Sequence, residues 1–244
     1  GGTFTQGSPE GEEGRWGDED QVERSVGEFA MARVPVKVGQ YRLFDPDKFG
    51  AEVDDRLPAY GVSWFEAMLF TRWLDHHGGS LKQKEHPWAD WTFRLPFEAE
   101  WEWACRDAPG PLPPGKAGYP RFGVGDSEAD LAGIAWYSKN SGSKVQPVAS
   151  APGGASAPCL GLYDMLGNVL EWCRDPWIQH PQPEGPAQPP LGPRVARRVR
   201  RGGSAWNGAR GCRAACRYLR VPDVNNDDDG FRVVLAPRPV SVPR

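Results

Sequence analysis

Apolar residues in this chain come in short bursts, separated by long polar or Gly/Pro-rich stretches. Two bursts have helical spacing. In Ser63-Trp-Phe-Glu-Ala-Met-Leu-Phe-Thr-Arg-Trp-Leu74, Ala67, Phe70 and Leu74 fall on one face. Ser63 supplies an N-cap, Glu66 stands at the capping-box position, and Gly78-Gly79 ends the helix. The second helix is Pro96-Phe-Glu-Ala-Glu-Trp-Glu-Trp-Ala-Cys-Arg106, with proline in its first turn and glutamates at its positive end. Glu98, Glu100 and Glu102 read as helix-start and solvated carboxylates, not as an acid/base pair. A strand is expected near Thr3–Gln6, followed by an acidic loop to residue 27. A short strand from Met31 leads into a helix that starts around Val38. Val195–Arg201 and Phe231–Leu235 read as further strands. Residues 107–160 are loop-like, and Asp164–Trp172 carries a tight Gly-Asn turn. Pro181, Pro183, Pro186, Pro189 and Pro190 make 179–193 an extended surface loop. No repeat or boundary divides the chain, so one α+β domain over 1–244 is expected.

Composition sharpens this picture. Eleven Trp, 30 Gly and 25 Pro in 244 residues point to a loop-rich fold held by large aromatics. Trp64, Trp101, Trp103 and Trp172 are expected in the core. A net charge of −3 gives no global pull toward nucleic acid. Arg194-Val-Ala-Arg-Arg-Val-Arg-Arg201 reads as a strand with one solvated basic face. No apolar run is long enough to span a bilayer and no signal peptide is visible, which leaves localisation open. The cysteines (Cys105, Cys159, Cys173, Cys212, Cys216) form no zinc-type pairs and read mostly as small buried residues.

Four segments together resemble the formylglycine-generating-enzyme (sulfatase-modifying factor) family. They are Tyr60-Gly-Val-Ser-Trp-Phe-Glu-Ala67, Phe93-Arg-Leu-Pro-Phe-Glu-Ala-Glu-Trp-Glu-Trp-Ala104, Gly161-Leu-Tyr-Asp-Met-Leu-Gly-Asn-Val-Leu-Glu-Trp172, and Arg201-Gly-Gly-Ser204 with Gly230-Phe-Arg232. The opening Gly1-Gly-Thr-Phe4 with Gly7-Ser-Pro9 matches as well. Phe97 and Leu170 depart from the usual Thr and Trp of that family. The resemblance implies a variant of the C-type lectin fold, with two main helices and short antiparallel sheets. It also implies a calcium ion at the Gly-Asn turn, held by the Asp164 and Glu171 side chains and the carbonyls of Gly167 and Val169. Such an oxygen set suits a hard cation. The competing reading is that Asp164 caps a turn and Glu171 meets an arginine.

The enzymes of this family activate oxygen at a copper ion held by two thiolates, the soft ligands that Cu(I) requires. Counted from Gly202-Gly-Ser204, the matching positions here are Asn207 and Cys212. Asn cannot replace a thiolate, so no copper is expected. His76, His77, His86 and His180 do not make the histidine-rich iron motif of a related sulfoxide-forming branch.

The same segment resembles the variable region of proteins diversified by retroelements. The frame of that pattern survives in Gly203, Ser204, Trp206, Arg210, Cys212, Arg213, Arg217, Pro222, Asp223, Gly230, Phe231 and Arg232. In such proteins the adenines of AAC codons are randomised, which yields Gly, Cys, Tyr, Leu, Val, Arg, Asp or Asn but never Trp, Lys, Glu, Gln or Met. The candidate positions Gly208, Gly211, Cys216, Tyr218, Leu219, Arg220, Val221, Val224, Asn226 and Asp227 all carry permitted residues, and Asn207 joins them as a ligand contact. The expectation is a non-enzymatic receptor or display protein whose variable region spans about 201–235. Fixed Arg, Trp, Cys and Phe would be buried anchors, and the residues between them would point outward. Tyr218 would then be an outward contact whose loss leaves the melting temperature nearly unchanged. The expected partner is a protein or other macromolecule bound by a monomer, with neither nucleic acid nor membrane insertion. A copper-dependent oxidase, or a degenerate relative of one, is the alternative.

Overall fold

The computed structural model describes residues 1–82, 85–107, 110–154, 160–180 and 196–238. Most of the proline-rich loop, residues 181–193, lies outside the described residues, as does Cys159. The strands are β1 (Gly2–Gln6), β2 (Val22–Val26), β3 (Ala30–Met31), β4 (Trp91–Arg94), β5 (Leu170–Pro176), β6 (Arg198–Arg201), β7 (Arg217–Arg220), β8 (Asp229–Gly230) and β9 (Val234–Pro237). The helices are α1 (Val38–Tyr41), α2 (Trp64–His77), α3 (Glu98–Cys105) and α4 (Glu128–Ile134). β1 and β2 form an antiparallel hairpin, β3-β9-β4 a second sheet and β7-β6-β5-β8 a third. Pairing is antiparallel except between β5 and β8.

The strongly marked helices form as their caps dictate. The Ser63 hydroxyl accepts from Glu66 N at 3.3 Å, and the Glu66 carboxylate accepts from Ser63 N at 2.7 Å. Trp64, Ala67 and Phe70 are the buried face of α2. In α3 the cap residue is Phe97, which offers no side-chain acceptor. Asp175 takes its place by accepting from Glu98 N at 2.6 Å, and Glu100 accepts from Phe97 N at 2.8 Å. The Phe97 ring instead lies under the Arg94 and Arg174 guanidiniums, at 4.6 and 5.4 Å.

The strands β2, β4, β5, β7 and β8 and the helix α4 are new relative to the sequence reading. β2 closes a hairpin where an acidic loop was expected, because Val22 and Val26 are the only apolar residues of a five-residue strand. α4 stands inside the loop-like region, capped by Ser127, but buries only Leu131. β7 lies inside the segment expected to be irregular and pairs with β6 in register from Arg198↔Arg220 to Arg201↔Arg217.

Two packed clusters make the core. One joins Trp101, Leu131, Leu166, Val199 and Cys212. The other joins Tyr41, Phe70, Leu95, Trp172 and Phe231, with Tyr41 stacked on Phe70 at 5.5 Å. Trp64, Trp101 and Trp172 are buried as expected, whereas Trp103 is half-buried, edge-on to Phe29. Among the described residues no helix is long and apolar enough to cross a membrane.

Candidate ligand-binding site

Five arginines from β6, β7 and the turns around them hold the C-terminal segment from inside. Arg201 donates to the carbonyls of Ala215 and Cys216, both at 2.7 Å, and pairs with Glu102. Arg217 forms a two-pronged pair with Glu98 at 2.6 and 2.9 Å and donates to the carbonyls of Asp18 and Ile178. Arg213 grips Glu19 through both nitrogens, at 2.7 and 2.5 Å, and reaches Glu12 at 2.7 Å. Arg232 forks onto Glu171, with contacts at 2.7 Å, and donates to the carbonyls of Ala32, Tyr163 and Asp164. Arg200 pairs with Asp229. All five are buried. The planar guanidinium fork suits this work, since one group satisfies a carboxylate and several loop carbonyls at once.

Two expectations about charge are therefore corrected. Glu98, Glu100 and Glu102 are buried, not solvated. Burial alone would raise the Glu98 carboxyl, yet Arg217, Arg201 and Arg24 carry it below the usual carboxylate range. Glu19 behaves the same way: burial opposes its charge, and Arg213 with Ser8 outweighs that. Of the expected basic face, Arg194 lies outside the described residues and Arg197 is exposed, but Arg200 and Arg201 are buried and Arg198 lies over the Trp64 ring at 4.1 Å.

Around this frame the chain alternates between surface and interior. Gly208, Val221 and Asp227 are exposed, and Asn207, Leu219, Arg220, Val224 and Asn226 are half-buried. Three candidate contacts do not face out as expected. Gly211 and Cys216 are buried, and Tyr218 is half-buried. The Tyr218 ring packs edge-on against Trp16 at 5.3 Å, and its hydroxyl donates to Gly211 O at 3.3 Å. Conversely Trp206, expected as a buried anchor, is 40% exposed and belongs to the surface. Arg210 also reaches out, but its guanidinium lies over Trp16 at 5.7 Å and donates to Gly14 O at 3.0 Å. The N-terminal loop between β1 and β2 thus forms one wall of this face. The missing signal was the partner of each arginine. Glu98 and Glu102 sit four residues apart on one helix face and meet Arg217 and Arg201.

The two positions matched to copper ligands are not a thiolate pair. Asn207 locks its own turn: its Oδ1 lies 3.0 Å from Ser204 Oγ, and its carbonyl accepts from Ser138 N at 3.0 Å. Cys212 is fully buried, and burial raises its thiol far above the ordinary range. It lies under a glycine turn, where a Cβ on Gly203 would stand 2.7 Å from its sulfur. Cys216 is also buried, its thiol pushed up to about 12 by desolvation. Both thiols are shut away from solvent in this arrangement.

The calcium positions come together at one turn, with Asp164, Gly167 and Asn168 at positive φ. Asp164 Oδ2 accepts from Ala149 N at 2.6 Å, and burial raises its carboxyl to about 6. Glu171 is neutralised by Arg232 and also accepts from Trp101 Nε1 at 2.7 Å. Val169 is fully buried beside it. In this arrangement Arg232 takes both oxygens of Glu171, and Asp164 Oδ2 is engaged by Ala149 N. Among the described residues no group of three His, Cys, Asp or Glu side chains is placed to hold a metal.

A family model, the sulfatase-modifying factor enzyme 1-like domain, matches residues 1–237. The chain belongs to that family. Its fold is the C-type lectin-like fold of the formylglycine-generating-enzyme type, loop-rich, with few helices and short sheets. Among curated relatives it is 34% identical to a serine/threonine-protein kinase Pkn1 of Chlamydia trachomatis, over 72% of this chain and 24% of that one. It is 32% identical to the formylglycine-generating enzyme of Streptomyces coelicolor, over 72% of this chain and 51% of the enzyme. The chain therefore spans a quarter to a half of the length of these relatives. Among solved structures, PvdO from Pseudomonas aeruginosa superposes with a TM-score of 0.71 and 26% identity, over 96% of this chain and 91% of that one. Treponema denticola variable protein 1 gives 0.68 and 24%, over 97% and 93%.

Proposed function

We propose that this family member is a non-enzymatic ligand-binding protein whose C-terminal segment, about 201–235, is a display surface varied by a retroelement. The observation that carries the reading is the division of labour within the segment. Buried arginines, each paired with a carboxylate, hold the frame, while Gly208, Leu219, Val221, Val224, Asn226 and Asp227 line the rim between them. Side chains on such a rim can change without disturbing the pairs beneath, so the scaffold stays preorganised for whatever it meets. Trp206, exposed within the same segment, supplies a large fixed aromatic contact. The ligand is a protein or other macromolecule that reads a surface rather than a deep pocket.

A copper-dependent oxidase is the second reading, favoured by 32% identity to a formylglycine-generating enzyme. Asn207 in place of a thiolate, and the full burial of Cys212, weigh against it. Oxygen uptake with Cu(I) and a cysteine-containing peptide separates the two. The expected result is no turnover above the copper-only background, and sustained turnover overturns the display reading. A near-copy of codons 201–232 carrying AAC at the rim positions, beside a reverse-transcriptase gene, would add direct support for the retroelement.

A further inference from the structure

Two positions assigned to the variable set, 211 and 218, meet beneath the surface rather than on it. The Tyr218 hydroxyl donates to Gly211 O at 3.3 Å. A Cβ built on Gly211 falls directly on that hydroxyl. Gly211 is not among the glycines at positive φ, so its backbone suits any residue. The hydroxyl excludes a side chain there; the next neighbour, Asn207 Cβ at 3.2 Å, needs to give only a few tenths of an ångström. Tyr218 cannot simply step aside. Its backbone is paired with Arg200 in the β6–β7 register, and Trp16 closes the outer side of its ring at 5.3 Å with an interplanar angle of 73°. Trp16 is itself held from above by Arg210, which is tied to Gly14 O.

We propose that residues 211 and 218 form one coupled specificity unit and that Trp16, from the opposite end of the chain, is its positioning residue. The inference rests on the display reading and deepens it. The side chain at 218 decides what 211 can carry, and Trp16 decides how the side chain at 218 meets the surface. Tyr at 218 requires Gly at 211, whereas a residue without the hydroxyl admits a side chain there. Variation at these positions is correlated, while Gly208, Val221 and Asp227, which are exposed, vary independently.

The test is a double-mutant cycle on the free protein, read by thermal melting. Gly211→Ala alone is expected to lower the melting temperature by about 5 °C, the cost of overpacking in a chain of this size. In a Tyr218→Phe background, or in Tyr218→Ala as a second relief variant, the same change is expected to cost less than about 1 °C. Equal losses in all backgrounds overturn the coupling. For Trp16 the readout is the Tyr218 ring resonance in a specifically labelled protein. Trp16→Ala should shift it and Trp16→Phe should restore most of the shift; no shift with Trp16→Ala removes the positioning role. These measurements need no ligand. Their failure leaves the display reading standing, and sustained copper-dependent turnover would remove that reading while leaving the coupling measured.

Discussion

Arg213 and Glu19 are fully buried and joined by two hydrogen bonds, far from each other in sequence. Removing one member of such a pair leaves a buried charge without its partner, at a cost of about 3–5 kcal/mol. Glu19→Ala is expected to destabilise the protein by that amount in urea denaturation. Glu13→Ala is the control, because Glu13 meets Arg121 with its side chain 85% exposed and should cost about 0–1 kcal/mol. Equal costs would contradict an arginine frame. Glu12 differs from Glu19 although both touch Arg213: burial raises its carboxyl, since it has only one prong of the guanidinium. At Tyr218 the sequence reading of a dispensable outward tyrosine gives way. With its ring on Trp16 and its hydroxyl on Gly211, Tyr218→Ala is expected to cost about 2–3 kcal/mol, a measurable drop in denaturation midpoint. Arg213, Arg217 and Arg232 were legible as anchors from their places in the Gly-Gly-Ser to Gly-Phe-Arg frame, whereas Arg200 and Arg201 read as part of a solvated basic strand. The carboxylate partners were not legible, because Glu12, Glu19, Glu98 and Glu102 look like ordinary solvated acids until the chain brings two distant ends together.

Among the elements, those with strong local signals were read correctly. The Ser63–Glu66 capping box starts α2 where the sequence puts it, and Ser63→Ala is expected to cost about 1 kcal/mol. α3 has no such local cap, so its start depends on Asp175 from β5. Burial, reinforced by nearby Glu98 and Glu100, lifts the Asp175 carboxyl from 3.8 to about 7. The folded protein therefore binds this proton more tightly than the unfolded chain, and the stability it contributes is present at low pH and lost as pH rises from about 4 through 7. Glu98, depressed by Arg217 and Arg201 against its burial, has the opposite slope, confined to pH below about 4.5. Between pH 5 and 8 the melting temperature of Asp175→Asn, which keeps an acceptor for Glu98 N, should fall less with rising pH than that of the parent. Parallel profiles would show that Asp175 does not titrate in that window. β2 and β7 escaped the sequence reading for one reason. Each has few apolar residues of its own and is held by pairing and by arginine contacts, which leave no periodicity to read.

On the scale of the whole molecule, both ends of the chain build one face. The loop between β1 and β2 supplies Trp16 and Gly14, and the C-terminal segment supplies Arg210, Tyr218 and the rim. The lectin-like frame was legible because four motifs fall in the family's order along the chain. The composite face was not, because nothing in the polar N-terminal segment marks it as a partner of residues two hundred positions away. If the face is a display surface, changes at the rim should alter binding while the buried frame keeps its stability. The most direct test is a library randomised at Gly208, Leu219, Val221, Val224, Asn226 and Asp227, selected against purified hen-egg lysozyme as an arbitrary protein target, with affinity and melting temperature measured for the recovered clones. The account predicts clones that bind at micromolar affinity or better, absent in the parent, and melt within about 5 °C of it. A library in which no clone outbinds the parent, or in which binding appears only where cooperative melting is lost, would contradict it.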